Sequence, residues 1–247
     1  MIKYTINKNF SKFKEFLLDI KHNFNSNQNT IHKARNEIKI IEYNSLSLVI
    51  KSFKIPHLLN SFIYSYFRDT KAKKSYEYSL RIGDFTPKPI GYIEFYKNSL
   101  LKDSYFVSEN FKYDFTIREP LLDDNFKDKE EILKAFARFT FELHEAEILH
   151  QDYSPGNILI KKENDTFIFK IVDINRMKFL KLDLASRLKN FAKLWISDND
   201  LKVVIKEYAK LVDEDEKKCL NLALDFSHKH KAKINLKKRL KGIEVVD

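Results

Sequence analysis

Short segments rich in β-branched and aromatic residues fill much of the first half of the chain. Residues 37–43 and 46–53 are two such segments with a two-residue turn between them, a pattern typical of a β-hairpin. Residues 90–97 and 104–108 form a second pair of this kind. The first half is therefore predicted to contain an antiparallel sheet built from strand pairs.

Two segments with helical spacing interrupt this sheet. Pro56 suits the first position of a helix, and the apolar stripe that follows consists of Leu59, Phe62, Ile63, Tyr66 and Phe67. A second helix is predicted over residues 70–82 and should end before Gly83. Tyr76 and Leu80 are expected to mark its packed face.

The second half of the chain is mainly helical. Apolar residues recur at helical spacing over residues 128–146, which predicts a long amphipathic helix packed through Ile132, Phe136, Phe139 and Leu143. Three further helices are predicted over residues 184–195, 201–212 and 214–230, followed by a basic tail.

A short polar loop lies directly behind the long helix, in the sequence ILHQDYSPGNILI at residues 148–160. Loops held between packed segments often carry function, because a rigid scaffold aims their side chains without burying them. Residues 158–160 and 167–172 are apolar runs joined by KKENDT, which predicts a second hairpin. Asp173 then follows at the exit of a buried strand.

Length and composition favour one large domain or one bilobal unit. The 247 residues are 43% hydrophobic and 14% aromatic, which is ample for a core, and no repeat or Pro/Gly/Ser linker divides them. The single cysteine, Cys219, cannot form an intrachain disulfide and is expected to be buried. No apolar run reaches the roughly 18 residues that span a bilayer, and no secretory signal follows Met1, so we expect a cytoplasmic protein.

The chain is basic, with 45 Lys and Arg against 35 Asp and Glu and a net charge of +10. This excess favours an anionic partner such as a nucleotide, a nucleic acid or an anionic lipid surface. A lysine-rich surface that only promotes solubility accounts for the same charge. Composition alone leaves both interpretations open.

The order of a long helix, an H-x-D-x-x-x-x-N loop, a hairpin and an Asp resembles the C-lobe of protein-kinase-like phosphotransferases. The loop reads HQDYSPGN, and DIN stands where these enzymes have DFG. Phosphoryl transfer needs a carboxylate for the proton of the attacking hydroxyl and oxygen ligands for magnesium. The resemblance implies that Asp152 is the catalytic base and that His150 organises the loop. It also implies that Asn157 and Asp173 hold Mg²⁺.

The same resemblance implies a lysine and a glutamate in the first half of the chain. Lys51, in the segment LVIKSFK, stands where such folds place the lysine that grips the α- and β-phosphates of ATP. Lys54 is a competing candidate, although strand alternation should turn it to the face opposite Lys51. Glu77, in the segment KAKKSYEYSLRI, is the candidate ion-pair partner of the lysine.

The glycine-rich loop of ordinary kinases is missing, because none of the four glycines precedes Lys51. The segment HKARNE is the candidate cover for the nucleotide, with Arg35 and Asn36 as side-chain donors. An ordinary solvated turn is the alternative interpretation of this segment. Glu109 and Asn110, at the start of the predicted C-lobe, are further candidates for nucleotide binding.

The missing glycine-rich loop helps to choose among the families of protein-kinase-like enzymes. The segments VIKSFKIP, YFRDTKAKKSYEYSL, TPKPIGYIE, HQDYSPGNIL and VDINRMKF resemble the lipopolysaccharide core kinases, the Kdo and heptose kinases, over roughly residues 35–179. The resemblance implies a bacterial enzyme that uses ATP and Mg²⁺ to phosphorylate a sugar hydroxyl of Kdo-lipid A or the core saccharide, at the cytoplasmic face of the inner membrane. We expect Kdo to be preferred over heptose, because its carboxylate suits cations such as Lys73 or Lys74.

We therefore predict an α+β protein with a bilobal protein-kinase-like fold. Residues 1–108 would form a small N-lobe with an antiparallel sheet plus helices, and residues 109–247 a mainly helical C-lobe. Together they would make one catalytic unit.

Two basic segments are candidates for contact with anions. The first comprises Arg68, Lys71, Lys73 and Lys74. The second is the tail HKHKAKINLKKRLKG, which has no acidic residue and suits peripheral contact with an anionic membrane. A solvated helix end accounts for either segment equally well.

Two other classes of protein compete with a sugar kinase. A kinase of the same fold acting on a protein or small molecule would share the loop, but DINRMKFLKLDLAS leaves no room for a long activation segment and lacks A-P-E. A non-catalytic basic binding protein would leave the Asp, Asn and Asp of the motifs idle. No nucleic-acid partner is expected, because no recognised binding motif is present.

Overall fold

The computed structural model describes residues 1–33, 36–53 and 69–245. Arg35, Lys54, Arg68 and the helix predicted from Pro56 lie outside the described residues. The described chain divides into two units, of which the first comprises residues 1–112 together with Asp173–Asn175 and the second comprises the rest. The division into lobes at residue 108 stays a prediction.

The first unit contains a six-stranded antiparallel sheet with the order β1-β5-β6-β4-β3-β2. Its strands are β1 (Ile2–Ile6), β2 (Thr30–Lys33), β3 (Asn36–Tyr43), β4 (Leu46–Phe53), β5 (Pro89–Lys97) and β6 (Leu100–Glu109). Both predicted strand pairs are confirmed, as β3–β4 and β5–β6. The prediction missed β1 and β2 and began β6 four residues late.

Two tight turns made without glycine join these strand pairs. Asn44 and Ser45 have φ angles of 48° and 61°, and Asn98 and Ser99 have φ angles of 51° and 60°. Positive φ at both central residues is the geometry that matches the twist of a two-residue hairpin, and Asn tolerates it well. The second turn lets β6 begin directly at Leu100.

One face of the sheet is covered by two short helices, α1 (Lys14–Leu18) and α2 (Ile20–Ser26). Their buried residues, together with Phe13 before α1, pack on apolar residues of four strands; the cluster consists of Phe13, Phe16, Leu17, Ile20, Phe24, Ile41, Leu48, Ile50, Ile90, Ile93, Tyr105 and Val107. Gly91 permits this approach, since a Cβ there would lie 2.9 Å from Cδ2 of Leu17 on α1, as well as 2.7 Å from the backbone oxygen of Thr5 on β1. The sequence pattern predicted no element in this N-terminal segment.

The opposite face of the sheet carries α3 (Lys71–Ile82). Its N-cap is Thr70, whose hydroxyl accepts a hydrogen bond from the Lys73 N–H at 3.1 Å. Tyr76 is buried against Phe53 of the sheet, as predicted for the packed face. Leu80 was placed on that face wrongly, because it is 50% exposed. The buried positions of the helix are Ala72, Ser75, Tyr76, Ser79 and Ile82.

The second unit is built from helices and three small strand pairings. Its helices are α4 (Arg118–Leu122), α5 (Lys129–Glu145), α6 (Leu184–Phe191), α7 (Asp198–Leu211) and α8 (Glu216–Arg239). Its strands are β7 (Phe115–Thr116), β8 (Ile148–His150), β9 (Ile158–Glu163), β10 (Thr166–Ile171) and β11 (Met177–Phe179). The strands pair antiparallel as β10-β9-β7 and as β11-β8.

The predicted long helix is confirmed as α5, with its predicted apolar residues buried. The hairpin behind the loop is confirmed as β9–β10, although its strands take up most of KKENDT and leave a turn at Asn164, whose φ is 53°. Helix α8 extends to Arg239, so most of the predicted basic tail is helical. Cys219 is fully buried, as predicted. No helix within the described ranges is long and apolar enough to cross a bilayer.

Candidate active site

His150 closes β8 and fixes the start of the polar loop. Its side chain is buried, with Nδ1 accepting a hydrogen bond from the Asp152 N–H at 3.0 Å. Its Nε2 lies 3.0 Å from the carbonyl oxygen of Val172. Because Nδ1 accepts, the ring proton belongs on Nε2, which donates to this carbonyl. The imidazole therefore ties the loop to the chain just before Asp173.

Asp152 and Asn157 lie at the two ends of the loop that follows His150. The side-chain amide of Asn157 donates to the backbone oxygen of Asp152 at 2.9 Å, and the Asn157 carbonyl accepts from the Val172 N–H at 2.9 Å. The Asp152 carboxylate stays 40% exposed. The loop thus fixes the backbone of Asp152 by hydrogen bonds and leaves its carboxylate accessible to solvent. A group that accepts a proton from a substrate needs both a fixed position and this accessibility.

A buried polar network that the sequence pattern did not predict connects the loop to helices α5 and α6. Tyr153 is fully buried, and its hydroxyl lies 2.8 Å from the hydroxyl of Thr140 on α5. Asn190 of α6 donates from its side chain to the His150 carbonyl at 3.0 Å. The Asn190 side-chain oxygen lies 3.2 Å from Nε2 of His144. The Tyr153 and Asn190 contacts tie the loop to two different helices.

His144 occupies the centre of this network. Its Nδ1 lies 2.7 Å from the Tyr208 hydroxyl, opposite the contact of Nε2 with Asn190. Burial lowers the pKa of His144 to about 4, because the charged form would lose its hydration. Burial also raises the pKa of Tyr153. The network is therefore neutral at physiological pH.

Lys51 and Asp173 form an ion pair in the first unit. The Nζ atom of Lys51, on β4, lies 2.7 Å from Oδ1 of Asp173. The Lys51 side chain is only 14% exposed. Asn175 donates from its side-chain amide to the same carboxylate oxygen at 2.5 Å. Asp173 itself has a φ of 57°, a left-handed conformation that suits Asp better than most residues.

The predicted ion pair between Lys51 and Glu77 is wrong in this structure. Glu77 lies outside the packed face of α3, its side chain is 47% exposed, and its carboxylate is 3.7 Å from Nζ of Lys73. Lys73 also binds Asp69 at 2.7 Å, and this hydrogen bond is the main cause of its raised pKa. Spacing alone could not distinguish an exposed glutamate from one that faces the sheet.

The remaining candidate nucleotide ligands lie at strand ends. Asn36 begins β3, and Glu109 ends β6. The Asn110 backbone N–H donates to the Ser47 carbonyl at 2.9 Å, and its side-chain amide donates to the Ser47 hydroxyl at 3.1 Å. Asn110 therefore ties the end of β6 to the start of β4. Arg35 lies outside the described residues.

The chemistry of the donors fits a magnesium ion. Asp173 supplies a carboxylate, and Asn157 supplies an amide oxygen that accepts no hydrogen bond from residues 1–33, 36–53 or 69–245. Carboxylate and amide oxygens are hard ligands, and Mg²⁺ completes such sets with water and phosphate oxygens. Each of these two side chains is thus of a type that binds Mg²⁺.

The order of elements and the loop geometry define a protein-kinase-like phosphotransferase, and the comparisons with known proteins agree. Residues 88–214, more than half of the chain, match the model of the Lipopolysaccharide kinase (Kdo/WaaP) family. The chain belongs to this family and is a kinase. The resemblance drawn from the sequence is confirmed. A search of curated proteins found no match.

The structure of WaaP shows the same fold. A structure of WaaP in complex with acyl carrier protein is 13% identical, covers 93% of this chain and 98% of its own, and gives a TM-score of 0.60. A structure of the Rio2 kinase–ADP/Mg²⁺–phosphoaspartate complex from Chaetomium thermophilum is 14% identical, covers 97% of this chain and 78% of its own, and gives a TM-score of 0.47. The predicted protein-kinase-like α+β fold is confirmed.

Proposed function

We propose that this kinase transfers the γ-phosphate of ATP to a hydroxyl of Kdo in the lipid A-core region of lipopolysaccharide. The observation that carries the proposal is the exposed carboxylate of Asp152, whose backbone N–H and C=O are hydrogen-bonded to the side chains of His150 and Asn157. The chain that carries it belongs to the lipopolysaccharide kinase family. A carboxylate placed in this way accepts the proton of a sugar hydroxyl as it attacks phosphorus.

The other residues divide the binding of the nucleotide between them. Lys51, now paired with Asp173, would share its N–H donors between that carboxylate and the α- and β-phosphates. Asn157 and Asp173 would hold Mg²⁺, which neutralises charge on the phosphates when bound. His150 keeps the loop in position through its two ring nitrogens. None of these side chains needs to change its protonation state except Asp152.

Nucleotide contacts outside the phosphates are proposed from sequence position. Arg35 and Asn36 would supply donors in place of a glycine-rich loop. Glu109 and Asn110 would contact the rest of the nucleotide from the point in the chain where the predicted N-lobe ends and the predicted C-lobe begins. Glu77 is left out of this proposal, because its carboxylate pairs with Lys73.

Charge supports an acidic acceptor. The chain has a net charge of +10, and Kdo carries a carboxylate that heptose lacks. Within α8 and the residues behind it, positions 226–243 contain no acidic residue, and Leu236 and Leu240 are exposed beside lysines. Such a segment suits peripheral contact with an anionic membrane surface, where a glycolipid acceptor is embedded.

Transfer of labelled phosphate from ATP tests the proposal. The purified enzyme would receive Kdo–lipid A, a heptosylated core and a generic protein in parallel, with the Asp152→Asn variant as the control. We expect label in Kdo–lipid A with the wild type and none with the variant. Transfer to the protein and to neither glycolipid would overturn the proposal, and transfer only to the heptosylated core would overturn the choice of Kdo.

A further inference from the structure

Two cationic side chains of the second unit, Arg176 and Lys193, act on the Asp152 carboxylate. The guanidinium of Arg176 lies 3.6 Å from Oδ2 of Asp152. Lys193 donates from Nζ to the backbone carbonyl of Gln151, next to Asp152 in the chain. Lys189 lies one helical turn before Lys193 and acts on its charge. Arg176 and Lys193 thus both act on the charge of the Asp152 carboxylate.

The backbone holds two of these cations beside the loop. The Gln151 N–H donates to the Arg176 carbonyl at 3.2 Å, and β11, which begins at Met177, pairs with β8, which ends at His150. Lys193 lies in the helical turn Ala192–Leu194 that directly follows α6. Both positions are fixed by secondary structure, which limits how far either side chain can retreat from Asp152.

The contact between Arg176 and Asp152 does not satisfy the guanidinium. At 3.6 Å it is longer than a hydrogen bond, and the Arg176 side chain is 55% exposed. A guanidinium has five N–H donors in a planar fork that suits carboxylate and phosphate groups. Arg176 therefore has donors left for a second anion on the exposed side of the loop.

The environment of Lys193 favours such an anion. Burial lowers the pKa of Lys193, Arg176 and Lys189 lower it further by repulsion, and only Asp152 raises it. An anion bound between Arg176 and Lys193 would relieve that repulsion and keep both side chains charged. In the absence of such a ligand, the charge of Arg176 acts against the charge of Lys193.

We infer that Arg176 and Lys193 form an acceptor subsite that binds an anionic group, a carboxylate or a phosphate, on the sugar whose hydroxyl reaches Asp152. This inference rests on the proposed function and narrows it to acidic sugars. Of the two lysines predicted to meet the Kdo carboxylate, Lys73 already pairs with Asp69 and Glu77.

Kinetics with matched pairs of acceptors test the subsite. The probes are free Kdo against its uncharged methyl ester, and a heptose phosphate against the unphosphorylated heptose. For the wild type we expect the charged member of at least one pair to have the lower KM. In Arg176→Gln and Lys193→Gln, the KM for that charged member should rise about tenfold or more, as for loss of a charge-assisted hydrogen bond.

Three controls show whether a lost charge at the subsite is what raises the KM. Lys178→Gln removes the same charge from an exposed position on β11 and should leave the acceptor KM unchanged. The Kd for ATP should be unchanged in all variants, and the charge-conserving Lys193→Arg and Arg176→Lys should restore much of the acceptor affinity. A restored KM would show that charge, and not the fold of the loop, is what the glutamine variants lose.

The outcomes distinguish failure of the subsite from failure of the function. Wild-type transfer that favours neither member of either pair, with unchanged KM in the glutamine variants, would overturn the subsite and leave the sugar kinase intact. Transfer to none of the four sugars and to none of the glycolipids would overturn both. A preference for the Kdo pair alone identifies the anion as a carboxylate, and a preference for the heptose pair alone identifies it as a phosphate.

Discussion

Acidification should destabilise this protein through His144. The imidazole is buried in its neutral form between Tyr208 and Asn190. A proton on the ring would place a charge in the centre of the second unit, where the loss of hydration on burial and the charge of Arg187 outweigh the favourable effects of the Asn190 hydrogen bond and Glu145. The folded chain therefore resists protonation, whereas the unfolded chain does not.

The size of the effect follows from the difference in pKa. The pKa is about 4 in the folded protein and about 6.5 in an unfolded chain. Below pH 6.5 the unfolded state binds the proton first, so the free energy of unfolding falls as the pH falls toward 4. Linkage gives a loss of about 2 kcal/mol at pH 5 and about 3 kcal/mol when the pH has passed the folded pKa.

Urea unfolding at pH 7, 6 and 5 measures this loss. His144→Gln keeps a polar amide in the network and removes the titrating group, so its loss between pH 7 and pH 5 should be smaller than that of the wild type by about 2 kcal/mol. His22→Gln, at an exposed position on α2, is the matched control and should behave as the wild type does. Equal pH dependence in the wild type and His144→Gln would refute the reasoning.

Three further substitutions test the site and the fold. Asp152→Asn should lower the rate of phosphate transfer by roughly 10²–10⁴-fold, measured with labelled ATP, and leave the Kd for ATP nearly unchanged, because the proposed base does not touch the nucleotide. Asp173→Ala should weaken magnesium-dependent ATP binding in calorimetry by about tenfold or more, and Asn157→Ala should weaken it less, because a carboxylate holds a hard cation more strongly than an amide. Gly91→Ala should lower the free energy of unfolding by about 1–3 kcal/mol, since its Cβ would meet a strand backbone at 2.7 Å. Gly156→Ala should change it by no more than about 0.5 kcal/mol, since its Cβ would meet only the movable end of an arginine.

Each of these predictions has an outcome that contradicts it. Near-normal turnover of Asp152→Asn would remove that residue as the base. Equal ATP affinity in the wild type and Asp173→Ala, with and without magnesium, would remove Asp173 from the metal site. Equal free energies of unfolding for Gly91→Ala and Gly156→Ala would show that the structure around Gly91 accommodates a Cβ without cost.

Sequence patterns formed by residues close together in the chain predicted the main strands and helices well. The β-branched and apolar residues of segment 46–53 predicted β4, and the helical spacing of residues 128–146 predicted α5. The loop motif was also readable, because His150, Asp152 and Asn157 contact one another within eight residues. Local spacing and local hydrogen bonds are what a single sequence displays directly.

Contacts between distant residues could not be predicted in the same way. Glu77 matched the expected helix, but side-chain direction on α3 depends on which of its faces meets the sheet, and Ala72 and Ser75 gave that face no apolar signal. Asn190 lies 40 residues from the carbonyl that it binds. Small and polar residues that become buried have no sequence signature, because their burial depends on partners that only the fold supplies.

The way in which the loop is anchored leaves Asp152 available for chemistry. Tyr153 is fully buried beside it, and Asn190 binds the His150 backbone, so the helices below hold the loop without using the carboxylate. Asn157 likewise donates its side-chain N–H to the loop backbone, which leaves its side-chain oxygen available for a ligand. If the carboxylate itself were the anchor, hydrogen bonds to its charged form would favour that form and make it a weaker base. The buried network thus separates the task of holding the loop from the task of accepting a proton.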